Sequence, residues 1–288
     1  MKGIVLAGGT GSRLWPVTFA VSKQLLPVYN KPLIYYPIST LMLAKIREIL
    51  IIVNPKDLQQ FESLLGDGRK FGVRFVYAVQ TQPRGIADAF RVGKDFIGGD
   101  STALILGDNI FYGQGLGVQL QQYTSVQGAQ IFAYKVQDPE RYGVVEMNKA
   151  NQVVSLEEKP SHPRSDLAIP GLYFYDSSVV EIASSISPSS RGELEISTVN
   201  DQYLLSGQLK VKKLERGTAW FDTGTFDSLH SASSFIQVIE QRQGFMVACL
   251  EEIAWRNDWI SEDELVQAAH SYRDSSYKNY LLSLINHP

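Results

Sequence analysis

The feature that most restricts the fold is an alternation through the first half of the chain. Short aliphatic and β-branched runs at residues 3–7, 49–53, 73–77, 102–106 and 131–134 are separated by helix-length segments near 38–47, 56–65, 85–95 and 116–126. Apolar runs this short, bounded by turn formers, read as buried strands. Strands separated by helices need right-handed crossovers, which leave neighbouring strands parallel. The expectation is an α/β fold, doubly wound and Rossmann-like, with a mostly parallel sheet flanked by helices. Ligands of such sheets sit beyond the carboxyl ends of the strands, which directs attention to the residues after Ala7, Val53, Tyr77 and Leu106. Farther along the elements shorten. Residues 143–147 and 152–156 flank the polar turn 148–151 and predict an inserted β-hairpin, residues 169–175 predict a strand, and Leu229, Ala232, Ile236 and Ile239 form an apolar stripe on one helix. From Gly244 onward the chain reads as helical, with Trp255, Trp259, Tyr272, Tyr277 and Tyr280 in its last stretch. The expected division is 1–243, with halves of about 1–135 and 136–243, followed by C-terminal helices over 244–288.

A chain of 288 residues, 44% of them apolar, can bury a large core. Its 27 basic residues against 30 acidic ones leave a net charge of −3, so no global positive field holds nucleic acid or an anionic membrane, and any anion must be bound locally. A single cysteine, Cys249, makes neither an intramolecular disulfide nor a cysteine zinc site, and the four histidines lack ligand spacing. The first apolar run is too short for a signal sequence, and no stretch of ~18 apolar residues follows. These features predict a soluble cytoplasmic protein with no nucleic-acid or membrane partner.

Directly after the first predicted strand stands Gly8-Gly9-Thr10-Gly11-Ser12-Arg13-Leu14. Glycine turns let backbone N–H groups approach phosphate oxygens. No Asp or Glu precedes Glu48, whereas Lys2, Arg13, Lys23, Lys31, Lys45 and Arg47 fall in that span, and an anionic ligand would account for the imbalance. The loop is not a Walker loop, because Ser12 stands where that motif needs Lys, nor a dinucleotide fingerprint, because Leu14 replaces its last glycine. From pattern alone, a tight turn with solvated lysines fits equally well. Asp108, after residues 102–106 and Gly107, and Asp222, before Thr223-Gly224, read either as helix caps or as hard ligands for a phosphate-bound Mg²⁺. Glu158 and Lys159 end a strand, where adjacent side chains point to opposite faces, and so predict separate jobs or a surface ion pair.

Residues 6–16, 22–28 and 31–37 together resemble the sugar-1-phosphate nucleotidyltransferases, with further matches at 106–113, 141–146, 157–160, 171–176, 191–196 and 220–225. The resemblance covers nearly the whole chain and is strongest to members that join dTTP to glucose 1-phosphate. It implies that an oxygen of the sugar phosphate attacks the α-phosphorus and expels pyrophosphate, giving dTDP-glucose for deoxysugar, usually rhamnose, and cell-surface polysaccharide. A phosphate monoester is already ionised, with a second pKa near ~6, so no general base is needed and catalysis is charge neutralisation and alignment.

The resemblance also implies roles. Arg13, Lys23, Lys159 and Asp108 form the catalytic set, and Asp108 and Asp222 hold Mg²⁺. Leu6, Gly8, Gly9, Gly11, Ser12, Arg13, Lys23 and Gln24 face the nucleotide, with Gln80, Pro83 and Gly85 near its base. Lys159 holds the sugar's phosphate, Glu158 its hydroxyls and Gly143 a backbone contact, while Leu106, Tyr142, Ile169 and Trp220 complete that side. A homotetramer is implied, with a second nucleotide-sugar site using Arg216, Glu252, Ile253 and Arg256, where dTDP-rhamnose inhibits. Ser12, Thr198 and Phe226 stand where the family commonly has Thr, Asp and His. Use of UTP or another sugar 1-phosphate is the nearest alternative. A catalytically silent sugar-nucleotide sensor is another, disfavoured because it would not need the full metal and phosphate set.

Overall fold

The computed structural model describes residues 1–286. Its first half comprises β1 (Lys2–Ala7), a short pairing of β2 (Pro27–Val28) with β3 (Lys31–Pro32), α1 (Tyr35–Leu43), β4 (Glu48–Val53), α2 (Leu58–Leu65), β5 (Arg74–Val79), α3 (Asp88–Val92), α4 (Lys94–Ile97), β6 (Thr102–Leu106), β7 (Asn109–Tyr112), α5 (Leu116–Gln121) and β8 (Ala129–Lys135). The second half holds β9 (Gly143–Met147), β10 (Val153–Glu158), β11 (Leu167–Ala168), β12 (Leu172–Tyr175), α6 (Val179–Ser185), α7 (Ile196–Leu205), β13 (Leu209–Lys213) and β14 (Ala219–Asp222). It closes with α8 (Phe226–Gln243), α9 (Leu250–Arg256), α10 (Glu262–His270) and α11 (Ser276–Asn286).

The main sheet runs β10-β9-β11-β8-β12-β6-β1-β4-β5, with β13 paired to β8. Strands β6, β1, β4 and β5 are mutually parallel, with Ile4 level with Leu50 on one side and Leu104 on the other. Strand β12 enters antiparallel between β6 and β8, and this restores β8 to the direction of β6. Only β12, β11 and β10 therefore oppose the common direction. The predicted hairpin is β9–β10. Burial on both faces explains the unbroken apolar runs: Ile4, Val5, Ile51, Ile52, Leu104 and Ile105 are all solvent-free. One face packs against α1, α2, α5 and the C-terminal helices, where Leu250, Ala254, Leu265 and Leu281 join the cluster around Ile38 and Leu41. The other packs against α3, α6 and α7 through Phe90, Val179 and Val199.

Three predicted elements are shorter than their patterns. The helix over 38–47 stops at Leu43 because Lys45 turns left-handed (φ 64°) to send the chain into β4. The segment 85–95 is interrupted at Gly93, where the backbone approaches Leu50 so closely that a Cβ would sit 2.9 Å from its side chain. The run at 169–175 becomes a strand only from Leu172, past Pro170 and Gly171. Among the described residues no helix is long and apolar enough to cross a membrane.

Candidate active site

The loop after β1 is held open by two left-handed glycines, Gly9 (φ 101°) and Gly11 (φ 60°). Asn54, the residue after β4, grips Gly9 with both ends of its amide: Gly9 N–H donates to Oδ1 at 3.2 Å, and Nδ2 donates to the Gly9 carbonyl at 2.9 Å. The Thr18 hydroxyl donates to the Gly11 carbonyl at 2.7 Å. Gln80, just beyond β5, is buried and donates from Nε2 to Asp88 at 2.8 Å, which leaves its Oε1 beside Gly8, 3.1 Å from where a Cβ would be. The ends of β1, β4 and β5 thus converge on one loop, as an α/β sheet requires of a ligand site. An adjoining groove of about 490 Å³ is lined by Trp15, Phe19, Asn54 and Pro83. Leu6 accepts the Gly107 N–H at 2.9 Å, whereas Gln24 lies buried behind the loop, its side chain accepting from Ser22 at 2.7 Å. Gly85 has φ 103°, and a Cβ there would collide with the Leu194 backbone, so this glycine is also required by packing.

The cationic character expected of the first 47 residues is mostly spent elsewhere. Lys2 pairs with Asp100 at 3.1 Å, Lys31 is buried against Glu240 at 2.8 Å, Lys45 bonds Asn257, and Arg47 bonds the Gly72 carbonyl at 2.8 Å. Of the six, Lys23 and Arg13 reach the site.

Strand β6 leads through Gly107 to Asp108. The small antiparallel pair β7–β14 sets Asp222 level with Asn109, and Thr223 bonds the Asp108 carbonyl through its hydroxyl (2.8 Å) and its N–H (3.1 Å). Two carboxylates remote in sequence are brought side by side. Their electrostatics differ. Burial alone would raise Asp108, but the Lys23 ammonium paired with it, together with the Asn109 amide at 3.0 Å, holds it below the ordinary carboxylate range. Asp222 is pushed above that range by burial first and by the neighbouring Asp108 charge second. Among the described residues no hydrogen bond or ion pair holds the Asp222 side chain. Arg13 lies over Gly224, where a Cβ would come within 2.6 Å of the guanidinium and 3.0 Å of Asp222 Oδ1, so the glycine admits both groups. Two adjacent hard carboxylates, one of them repelled by the other, suit a divalent cation. No cluster of three or more His, Cys, Asp or Glu stands ready to hold one among the described residues.

The same groups form one end of a cavity of about 210 Å³. Its wall includes Arg13, Asp108 and Asp222, together with the expected Leu106, Tyr142, Gly143, Glu158, Lys159, Ile169 and Trp220. Gly143 allows the Glu158 carboxylate to lie 3.3 Å from its missing Cβ. Trp220 donates from Nε1 to Asn109 Oδ1 at 2.7 Å and leans on Tyr142 with ring centroids 5.1 Å apart. One expectation is corrected here. Glu158 and Lys159 do not serve opposite faces: β10 ends at Glu158, Lys159 turns left-handed (φ 44°), and both line the cavity. Alternation holds only within a strand.

Helix α7 supplies Ile196, which ends the 191–196 match, and Ser197 and Asn200, which the sequence pattern did not single out; all three line the cavity. Glu195 and Arg191 stand behind it, with Arg191 3.6 Å from both Glu158 and Glu195. Burial, and then the Glu195 charge, push Glu158 above the ordinary range. The motif 191–196 was a visible signal for this neighbourhood. The Thr198 and Phe226 departures lie outside the cavity lining.

The residues proposed for a second site are not assembled within one chain. Arg216 lines a surface groove with Tyr112 and Gln243, whereas Arg256 pairs with Glu252 at 2.8 Å on α9. No described hydrogen bond, ion pair or cavity joins Arg216 to Glu252, Ile253 or Arg256.

Comparison with known proteins bears on this arrangement. The nucleotidyl transferase family profile matches residues 2–238. A glucose-1-phosphate thymidylyltransferase of Neisseria meningitidis is 55% identical over 286 residues, covering 99% of each chain. One of Mycobacterium tuberculosis is 55% identical over 285 residues, again covering 99% of each. Among solved structures, a Bacillus anthracis protein assigned the same activity and complexed with sucrose superposes with a TM-score of 0.76 at 41% identity, over 82% of this chain and 94% of that one.

Proposed function

The chain belongs to the nucleotidyl transferase family, and on that premise we propose that it joins dTTP to glucose 1-phosphate, producing dTDP-glucose and pyrophosphate. What supports the reading most is the convergence of Asp108 and Asp222 with Arg13, Glu158 and Lys159 around one cavity. That cavity adjoins a glycine loop anchored by Asn54. In this reading the loop N–H groups, Lys23 and Arg13 receive the triphosphate, with Arg13 on the leaving phosphates, where charge grows in the transition state. Gln80 offers its free amide oxygen to the base edge. Lys159 anchors the sugar's phosphate, and Glu158 accepts from sugar hydroxyls.

Asp108 and Asp222 would hold Mg²⁺, which when bound would supply charge neutralisation where the two phosphate groups meet. The protein's own part is alignment. Lys159 and Arg13 bring two anions together. The chain is proposed to act in the cytoplasm as a homotetramer. Residues 1–243 would carry the chemistry, and 244–288 assembly and a dTDP-rhamnose feedback site that uses Arg216 and α9 across a subunit contact.

Pyrophosphate release measured with each of four nucleoside triphosphates against glucose 1-phosphate tests the assignment. Fastest release with dTTP is expected, with UTP second, because one methyl group discriminates by only about 1–3 kcal/mol. Preference for a purine triphosphate would contradict it.

A further inference from the structure

Two buried side-chain polar atoms among the described residues lack a hydrogen-bond partner: the Thr102 hydroxyl and the Asn200 amide nitrogen. Thr102 begins β6 and lines none of the cavities described above. Asn200 is different. It sits on α7, is fully buried, and contributes to the wall of the 210 Å³ cavity. One end of its amide is occupied, because the Tyr175 hydroxyl donates to Oδ1 at 2.6 Å. Tyr175 is itself fixed, stacked on Tyr203 at 5.5 Å and on Tyr173 at 6.2 Å, with Phe90 edge-on at 5.4 Å. Among the described residues Oδ1 is the one acceptor recorded for the Tyr175 hydroxyl proton, and this pairing leaves the NH₂ as the free end of the amide. A buried donor without an acceptor costs stability, and native structures keep few of them.

The chemistry of the missing acceptor follows from the surroundings. Ser197, three residues earlier on the same face of α7, lines the cavity as well, as do Ile196 and Tyr173. Ser197 bonds the Glu158 carboxylate, and the charge of Glu158 also bears on Tyr173, so this part of the wall is acidic. A neutral donor beside a carboxylate suits a hydroxyl, which can accept from the amide without the repulsion a phosphate would meet from Glu158. We propose that Asn200 is a specificity-determining residue, donating from Nδ2 to one hydroxyl of the bound hexose 1-phosphate, with Tyr175 as the positioning residue that aims it. This rests on the cavity being the sugar-phosphate site.

The test is a panel of glucose 1-phosphate and its 2-, 3-, 4- and 6-deoxy analogues, with KM measured for each and for dTTP. In the wild type one deoxy analogue shows a KM about tenfold above that of glucose 1-phosphate through loss of the Asn200 bond. Asn200→Asp keeps the acceptor for Tyr175 but removes the donor. It is expected to raise the KM for glucose 1-phosphate, erase the penalty for that one analogue and leave dTTP unaffected. Tyr175→Phe frees the amide and is expected to shrink the same penalty, so it carries the test if Asn200→Asp does not fold. A merely structural role would shift all substrates together. Wild-type discrimination retained in the variants, or a loss spread evenly over the sugars and dTTP, would overturn the role of Asn200. Failure of the wild type to turn over any of these sugar phosphates would instead overturn the proposed reaction, and this role with it.

Discussion

At the scale of single residues, Asp108 and Asp222 occupy neighbouring positions with opposite electrostatic histories. Asp108 is held low by Lys23, so its contribution to stability is present above the unfolded pKa and is lost as pH falls through the depressed folded value. Asp222 is raised, first by burial and then by Asp108, so its ionised form costs stability at neutral pH, and that cost disappears as pH falls through the raised value. In chelator, Asp222→Asn is therefore expected to melt at a higher temperature than the wild type and Asp108→Asn at a lower one. Each should lose at least about a hundredfold in turnover with metal present, the scale of one missing transition-state contact. Thermal denaturation beside steady-state kinetics checks both; an Asp222→Asn protein that melts lower would contradict the repulsion. Asp108 was visible in the sequence as a carboxylate beyond a strand. Its partnership with Asp222 came only through the family resemblance, because no local pattern links residues joined through Thr223 and the β7–β14 register.

At the scale of elements, the glycine loop depends on a clamp from another strand end. The two-way amide pairing of Asn54 with Gly9 fixes a segment that glycine would otherwise leave mobile. Asn54→Ala is expected to raise the KM for dTTP roughly tenfold through loss of these bonds, while the KM for glucose 1-phosphate changes little. Equal effects on both substrates would show that the clamp serves the whole fold instead. The strand-helix alternation placed this site before any side chain was seen, since residues after Ala7, Val53 and Leu106 do meet there. What the sequence hid were short elements that depend on distant partners. Helix α7 mixes β-branched and polar residues in a segment flanked by Ser189 to Glu195, and β14 is four residues long and pairs with β7, more than a hundred positions earlier. Lys159 was misread because its left-handed turn ends the strand alternation one residue sooner than the pattern suggests.

At the scale of the whole molecule, the N-terminal segment and helix α8 are tied through a buried ion pair. Lys31, on β3, meets Glu240 on α8, the helix that follows Asp222. Glu240 also accepts from Asn30 at 2.6 Å and from the Val247 N–H at 2.8 Å. Lys31→Met leaves the carboxylate buried without its cation and is expected to cost about 3–5 kcal/mol in urea denaturation, with part of the loss recovered by adding Glu240→Gln. A loss below about 1 kcal/mol would show that Asn30 and Val247 suffice. The acid-free opening segment read as a ligand-facing field, yet Lys31 is buried against Glu240, and Lys2, Lys45 and Arg47 bond other parts of the chain nearer the surface. Charge counted along a sequence does not reveal which cations the fold will bury.

The central claim is that Asp108 and Asp222 mark the point where two phosphate-bearing substrates meet around a divalent cation. Its most direct test is to incubate the purified protein with dTTP and glucose 1-phosphate and follow ³¹P resonances, first in Mg²⁺, then with EDTA, then with Mg²⁺ restored in excess. The expected result is a new nucleoside diphosphate sugar together with pyrophosphate, formation that stops with the chelator, and recovery on readdition. Absence of a nucleoside diphosphate sugar in Mg²⁺, or formation at an undiminished rate in EDTA, would contradict the account.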